Sequence, residues 1–539
     1  MDAPPPQGPN PNSPAALFSR KGVLDLPPEP FSGQKCLLPI IHLFFSQMAN
    51  ASQPLQKKKN LQTCRRHGNA RRLLKCRSSS SSSSSSSRFT VDDLPPRDVI
   101  IVGGGAHGAA TAHELSSQQR GASRKVSLAV VESSLTPAHS RSSSGGESRI
   151  FRLTDTKSHY ASMAFEALPL WRELERQSGA ELLRTTGCLD IVDEQSLEDA
   201  LRTSESAGAT VETLTGDEIA KRTQGAINLK SLETRYGGIY ERSGGINNPK
   251  TVMNSYYRLL REKYKQRVKV LSGHSLIELE DYGSSFSLLL KRHNPGMLEA
   301  PFARISCEQL VFTAAAANPL LMSRFFGWRS LRESCVIQKM SYGFWRVQDL
   351  SRKAMEQIPV WRLLPSQEDQ SRSIKDGGVV RCYGFPIHEH DGFSKVAPHD
   401  LHTSIPYPAE DSDLLFLAQG ERKPDDDILR DVHESVVSRM LGGKLEFAAD
   451  GAHSCLYTVT DDREFVLDYV PGVERGRAVV SICCQGSGFK HTPLIGSAIR
   501  DMVMMHGGDL VGAGGVVNLN LFRADRESLG GGDKVAAKL

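Results

Sequence analysis

Beyond residue 94 the chain alternates between short apolar runs and longer segments with helical spacing. In Asp98-Val99-Ile100-Ile101-Val102 the last four positions are apolar in succession, the pattern of a parallel strand buried on both faces, and Gly103-Gly104-Gly105-Ala106-His107-Gly108 follows at once. Ala109, Ala110, Ala112 and Leu115 then predict a helix whose small side chains lie close to a sheet. A second apolar strand runs from Val126 to Val131 and ends on Glu132, and a third runs from Ala478 to Cys484. Gly244-Gly245-Ile246-Asn247-Asn248-Pro249 reads as a turn entering a helix from Thr251 to Lys263. The stretches 185–243 and 326–450 instead mix short strands with Gly and Pro punctuation.

This patterning predicts an α/β fold. A Rossmann-type, doubly wound sheet is assembled from residues 95–184, 244–325 and 451–515, so it is discontinuous in sequence. An antiparallel-sheet α+β domain, from 185–243 and 326–450, packs over it as the substrate and catalytic domain. Residues 1–94 read as a disordered leader and 516–539 as a tail.

Charge sharpens the division. The net charge of +5 is misleading, because residues 1–91 hold 13 Lys and Arg against Asp2, Asp25 and Glu29, leaving −5 for the remainder. A mildly acidic body lacks the basic footprint of a nucleic-acid binder. From Phe31 to Val91 there is no Asp or Glu, and ten serines run from Ser78 to Ser87. An acid-poor, Ser-rich and Arg-rich leader is transit-peptide-like, pointing to a plastid or mitochondrion. The closing Ala537-Lys538-Leu539 approaches the Ser-Lys-Leu peroxisomal signal, and the peroxisome is the preferred expectation. The ten cysteines have no CxxC spacing, which argues against a zinc site or a disulfide scaffold. No apolar run outside the folded part approaches the ~20 residues of a membrane span.

The succession strand, glycine turn, helix, strand, acid carries chemistry. Gly103 makes the tight turn, Gly105 lets the backbone approach a pyrophosphate, and Gly108 lets helix and strand pack. The helix amino terminus adds N–H donors, and Glu132 would accept hydrogen bonds from a ribose. Glu132 lies 29 residues after Gly103, longer than the usual ~20, so Ser116 to Lys125 is expected to be a surface insertion. The turn alone does not separate FAD from NAD.

Four further motifs choose between them. Ser148-Arg149-Ile150-Phe151-Arg152, Tyr383-Gly384-Phe385-Pro386, Cys455-Leu456-Tyr457-Thr458 and Gly486-Ser487-Gly488-Phe489-Lys490 follow the glycine turn in that order. Together they resemble the monomeric sarcosine oxidase group of FAD-dependent amine oxidases, which includes N-methyltryptophan and pipecolate oxidases, from about Asp98 to Met505. The resemblance implies FAD bound at Gly103, Gly105, Gly108, Glu132, Arg149, Gly486 and Gly488, and attached covalently through Cys455. It implies that Arg152 and Lys490 grip a substrate carboxylate, which suits a planar guanidinium beside an ammonium. It places Lys395 over the flavin to activate oxygen, where a fixed cation would stabilise superoxide as it forms. Tyr383 and His399 line the same pocket. No metal is implied, and a monomer is favoured.

The expected activity is oxidation of a secondary or N-methyl amino acid by molecular oxygen, giving imine or aldehyde and hydrogen peroxide. An FAD-dependent dehydrogenase using another electron acceptor is the alternative. Three departures from the family pattern bear on specificity. Ser144-Gly145 precedes Gly146-Glu147-Ser148-Arg149 where sarcosine oxidases often carry histidine. Thr313-Ala314-Ala315-Ala316 has alanine in place of a usual glycine. Ile387-His388-Glu389-His390-Asp391-Gly392 replaces a glycine-rich approach to the oxygen-activating lysine.

Overall fold

The computed structural model describes residues 90–117, 125–139, 142–206, 208–294, 296, 300–407, 423–441, 445–504, 511–512 and 517–526. The basic leader, most of the expected insertion after Ser116 and the Ala-Lys-Leu end lie outside these residues.

The first apolar run forms the strand Arg97–Val102, at the heart of a nine-stranded sheet. It pairs in parallel with Leu128–Glu132 on one side and with Phe302–Phe312 on the other. Val99 and Ile101 face one hydrophobic core while Ile100 and Val102 face a second, which is why the strand is apolar at each of its last four positions. Phe302–Phe312 is long enough to change partner, pairing antiparallel with Phe286–Arg292 and then, at its end, parallel with Ala478–Ile482. The expected helix spans Ala106–Ser117. A Cβ on Gly496 of the helix Thr492–Met504 would lie 2.8 Å from Ala110, so small residues on both helices permit their contact. Pro249–Arg258 continues as a π-helical segment to Lys263, matching the expected helix with an earlier start at its Asn248 cap.

The second nine-stranded sheet is largely antiparallel, with one parallel pair between Val360–Leu364 and Cys188–Asp193. Its strand Cys335–Val347 pairs with both Phe393–Pro398 and Leu445–Thr460. The return to the first sheet therefore comes at Val466–Tyr469 rather than at residue 451, because pairing with Cys335–Val347 keeps Leu445–Thr460 in the second sheet to Thr460. A small third sheet, Arg149–Phe151 and Leu183–Thr185 flanking Gly245–Asn247, was not foreseen. Among the described residues no helix is long and apolar enough to cross a membrane.

Candidate active site

The glycine turn closes the end of Arg97–Val102. Gly103 has φ +103°, and a Cβ there would stand 2.6 Å from the Ala314 backbone. A Cβ on Gly108 would fall 1.9 Å from the Gly103 carbonyl oxygen. Packing therefore demands both glycines. At Gly105 a Cβ would meet nothing beyond its chain neighbours closer than Ser144 Oγ, at 3.8 Å. That open space lies at the helix amino terminus, where a diphosphate needs close backbone approach. Glu132 ends the neighbouring strand, and its Oε2 accepts the Gly104 N–H at 2.9 Å. The second turn has Gly486 at φ +73°, and a Cβ on Gly488 would collide with the Cys483 carbonyl at 1.7 Å. His107 Nε2 lies 3.5 Å from the Gly488 carbonyl, joining the two turns.

Cys455 is half-buried on Leu445–Thr460, opposite Met340, and Tyr457 follows two residues on along the same face. Arg149 donates to the carbonyls of Ser148, Ser143 and Gly145 at 2.7, 2.9 and 2.8 Å, fastening the loop before it. Burial opposes its charge, but the fields of Cys455, Tyr457, Tyr383 and Tyr342 outweigh burial and raise its pKa. Burial and the field of Cys455 push the Tyr383 phenol up to about 12, so it stays protonated at neutral pH.

Lys395 comes from Phe393–Pro398 and is buried. Its Nζ donates to Glu389 Oε1 at 3.0 Å and Ser148 Oγ at 3.1 Å, and it lies 4.3 Å from the Tyr342 ring centroid. Burial lowers the pKa of Lys395, opposed by Glu389, while the nearby Arg149 lowers it further. Burial raises the Glu389 carboxyl, but Lys395 and the Ser148 hydroxyl outweigh it and bring the group down to about 2. The turn that carries Glu389 also holds two imidazoles, His388 and His390. They diverge: His388 Nδ1 lies 3.5 Å from Arg184, and His390 meets the Phe344 ring edge-on at 4.5 Å.

Arg152 and Lys490 do come together, with a third member. Arg152 Nη1 and Lys490 Nζ both donate to Oδ2 of Asp155, at 2.9 and 2.7 Å. The other oxygen, Oδ1, accepts the Thr156 N–H at 2.8 Å. The pair expected to await a substrate carboxylate thus already holds one, because the residue three places after Arg152 is an acid. Burial pulls Lys490 down to about 8, helped by Arg152 and opposed by Asp155. His399 is less closely tied to the group. It lies past the end of its strand with Nδ1 3.3 Å from Asp400, and its backbone N–H donates to the Arg381 carbonyl.

Residues 98–502 match the family model described as FAD dependent oxidoreductase, DAO. The chain belongs to this family. It is 24% identical over 407 residues to the probable sarcosine oxidase of Arabidopsis thaliana, covering 72% of this chain and 84% of the relative. It is 24% identical over 409 residues to the peroxisomal sarcosine oxidase of Homo sapiens, covering 74% and 89%. Its fold is similar to that of NikD, described as an unusual amino acid oxidase essential for nikkomycin biosynthesis, with TM-score 0.60, 17% identity and coverage of 80% and 98%.

The residues of this FAD-dependent oxidoreductase fit its cofactor. The room at Gly105 suits a diphosphate, Glu132 at the end of its strand would accept from a ribose hydroxyl, and Arg149 and Cys455 lie within electrostatic reach of each other. Bound there, FAD supplies the two-electron acceptor. Four residues of the cluster escaped the sequence reading: Asp155, Glu389, Tyr342 and Tyr457. Arg152 and Asp155 at a spacing of three were a visible charge pair, whereas nothing local in the sequence marks Tyr342.

Proposed function

We propose that this oxidoreductase oxidises a small secondary or N-methyl amine at the carbon next to nitrogen, with molecular oxygen as acceptor. A C–H and an N–H bond are lost as C=N forms, releasing two electrons and two protons. Oxygen takes up the same electrons and protons and becomes hydrogen peroxide, and water hydrolyses the imine to aldehyde and amine.

The observation that carries this reading is the buried Lys395 ammonium. A lone buried lysine loses its proton readily, and Glu389 at 3.0 Å opposes that loss. With Arg149 nearby, two cations face one carboxylate, leaving a net positive field for charge that develops on oxygen. Cys455 is the residue that would carry FAD covalently, and Tyr383 and Tyr457 line the same face. The sarcosine oxidases named among the relatives support the amine class.

The test is reduction of the purified holoprotein by an amine without air, followed by admission of oxygen. Reoxidation within seconds, with one peroxide per flavin, is expected. Reduction by amine with reoxidation only by an artificial acceptor would give the dehydrogenase reading, which Glu389 favours in so far as it offsets Lys395. A monomer and a peroxisomal setting complete the proposal, the latter supported by the name of the human relative. Fluorescent tags placed separately at each end would test the setting.

A further inference from the structure

From the placement of Asp155 we infer that the oxidation site takes amines with no carboxylate on the carbon next to nitrogen. The inference rests on the amine-oxidation reading above, with Arg152 and Lys490 at the substrate end of the pocket.

Arg152 Nη1 and Lys490 Nζ, donors that would recognise a carboxylate, already hold one. Arg152 Nη1 and Lys490 Nζ converge on Asp155 Oδ2, and Arg152 also donates to the Thr154 carbonyl. Asp155 is itself anchored, since Oδ1 holds the Thr156 N–H and the side chain is 8% exposed. Displacing it would break three hydrogen bonds and strand a carboxylate in a buried site.

The charges around it also balance without a substrate. Arg362 donates through Nε to Asp190 Oδ1 at 2.6 Å and through Nη2 to Oδ2, and both side chains are buried. Glu241 receives the N–H groups of Leu153 and Thr154 at 2.7 and 3.1 Å and the Ser243 hydroxyl at 3.0 Å, using both oxygens as acceptors. Arg152, Lys490 and Arg362 therefore face Asp155, Asp190 and Glu241, three cations against three carboxyl groups. His491 adds nothing, because burial and the Lys490 charge hold its ring neutral. Among the described residues of this cluster, a substrate carboxylate would add a fourth acid to three cations, although burial raises the Glu241 carboxyl. A neutral substituent in its place brings no such charge.

Matched pairs test this on the wild-type holoprotein: piperidine against pipecolate, and N-methyltryptamine against N-methyltryptophan. Anaerobic flavin bleaching is expected to be at least about 30-fold faster, in second-order rate, for the member without the carboxylate. Equal or faster bleaching by the amino acids overturns the inference and leaves the proposed function standing. Bleaching by neither series overturns both. A binding measurement adds a readout free of turnover, with benzoate titrated against the flavin spectrum. Asp155→Asn is expected to bind benzoate at least about tenfold more tightly than wild type, since Arg152 and Lys490 gain an open partner. Equal affinities would overturn the inference.

Discussion

Lys395 and Glu389 form an ion pair at 3.0 Å with side chains only 5% and 6% exposed, inside a cage that includes the rings of Tyr342, Phe344 and Phe385. A buried ammonium without an anion would be driven toward the neutral amine, so the acid decides whether the lysine is a cation. Lys395→Met is expected to slow reoxidation of the reduced enzyme by oxygen about 100-fold, with little change in reduction by amine. Glu389→Gln tests the pair itself. Removing the carboxylate lowers the Lys395 pKa further, so oxygen reactivity should fall with rising pH at a lower pH than in wild type. Stopped-flow reoxidation across the neutral and alkaline range measures this, and superimposable profiles would show that Glu389 does not hold the proton.

Cys455 lies within electrostatic reach of the buried Arg149 guanidinium, and a neighbouring cation is the setting in which cysteines become reactive. A thiolate facing an electron-poor ring can form a thioether, so acid-precipitated wild-type protein should leave its yellow colour in the pellet. Cys455→Ala should release the colour to the supernatant while retaining the fold. Yellow wild-type supernatant would mean that the thiol packs near the cofactor without bonding to it.

The two glycines of the first turn should fail in different ways. Gly108→Ala drives a methyl into the Gly103 carbonyl and Thr313 Oγ1, at 1.9 and 2.7 Å, and should cost about 1–3 kcal/mol of stability with or without cofactor. Gly105→Ala projects its methyl into open space, so the apoprotein should melt like wild type. Its affinity for FAD should nevertheless drop about tenfold, or about 1.4 kcal/mol, because the methyl occupies the approach of the diphosphate. Calorimetric titration in the Cys455→Ala background keeps binding reversible. Unchanged affinity in Gly105→Ala would remove the diphosphate from this turn.

The strand, turn and helix around Gly103 were legible because they are local: six successive residues, Gly103 to Gly108, make the turn, and apolar runs mark a strand covered on both faces. Cys455, Arg149 and Lys395 could be named only by likeness to a family, since they lie on separate strands that sequence alone does not bring together. The carboxylates were harder still. Glu389 sits between two histidines that draw the eye toward metal, yet its partner is Lys395 across a hairpin. Asp155 was within reach, three places from Arg152, but its second partner, Lys490, is 335 residues away. Whether an arginine is open or occupied is a property of the folded chain, and substrate choice turns on it.

Glu389 also gives the fold an acid limit. Its carboxyl is held at about 2 against an ordinary value of 4.5, so its contribution is complete above pH 4.5 and is lost as pH falls toward 2. The sign follows from proton binding: between these values the unfolded chain takes up a proton that the native chain refuses, and acid therefore favours unfolding. Glu389→Gln should cost about 3 kcal/mol at pH 7, because it leaves a buried ammonium unpaired. The gap between wild type and variant should narrow steadily below pH 4.5, as wild type loses a contribution the glutamine never made. Urea unfolding of the two proteins at pH 7, 4 and 3 measures it. A gap that stays constant with pH would show that Glu389 titrates alike in folded and unfolded chains, and that the pair does not govern the charge of Lys395.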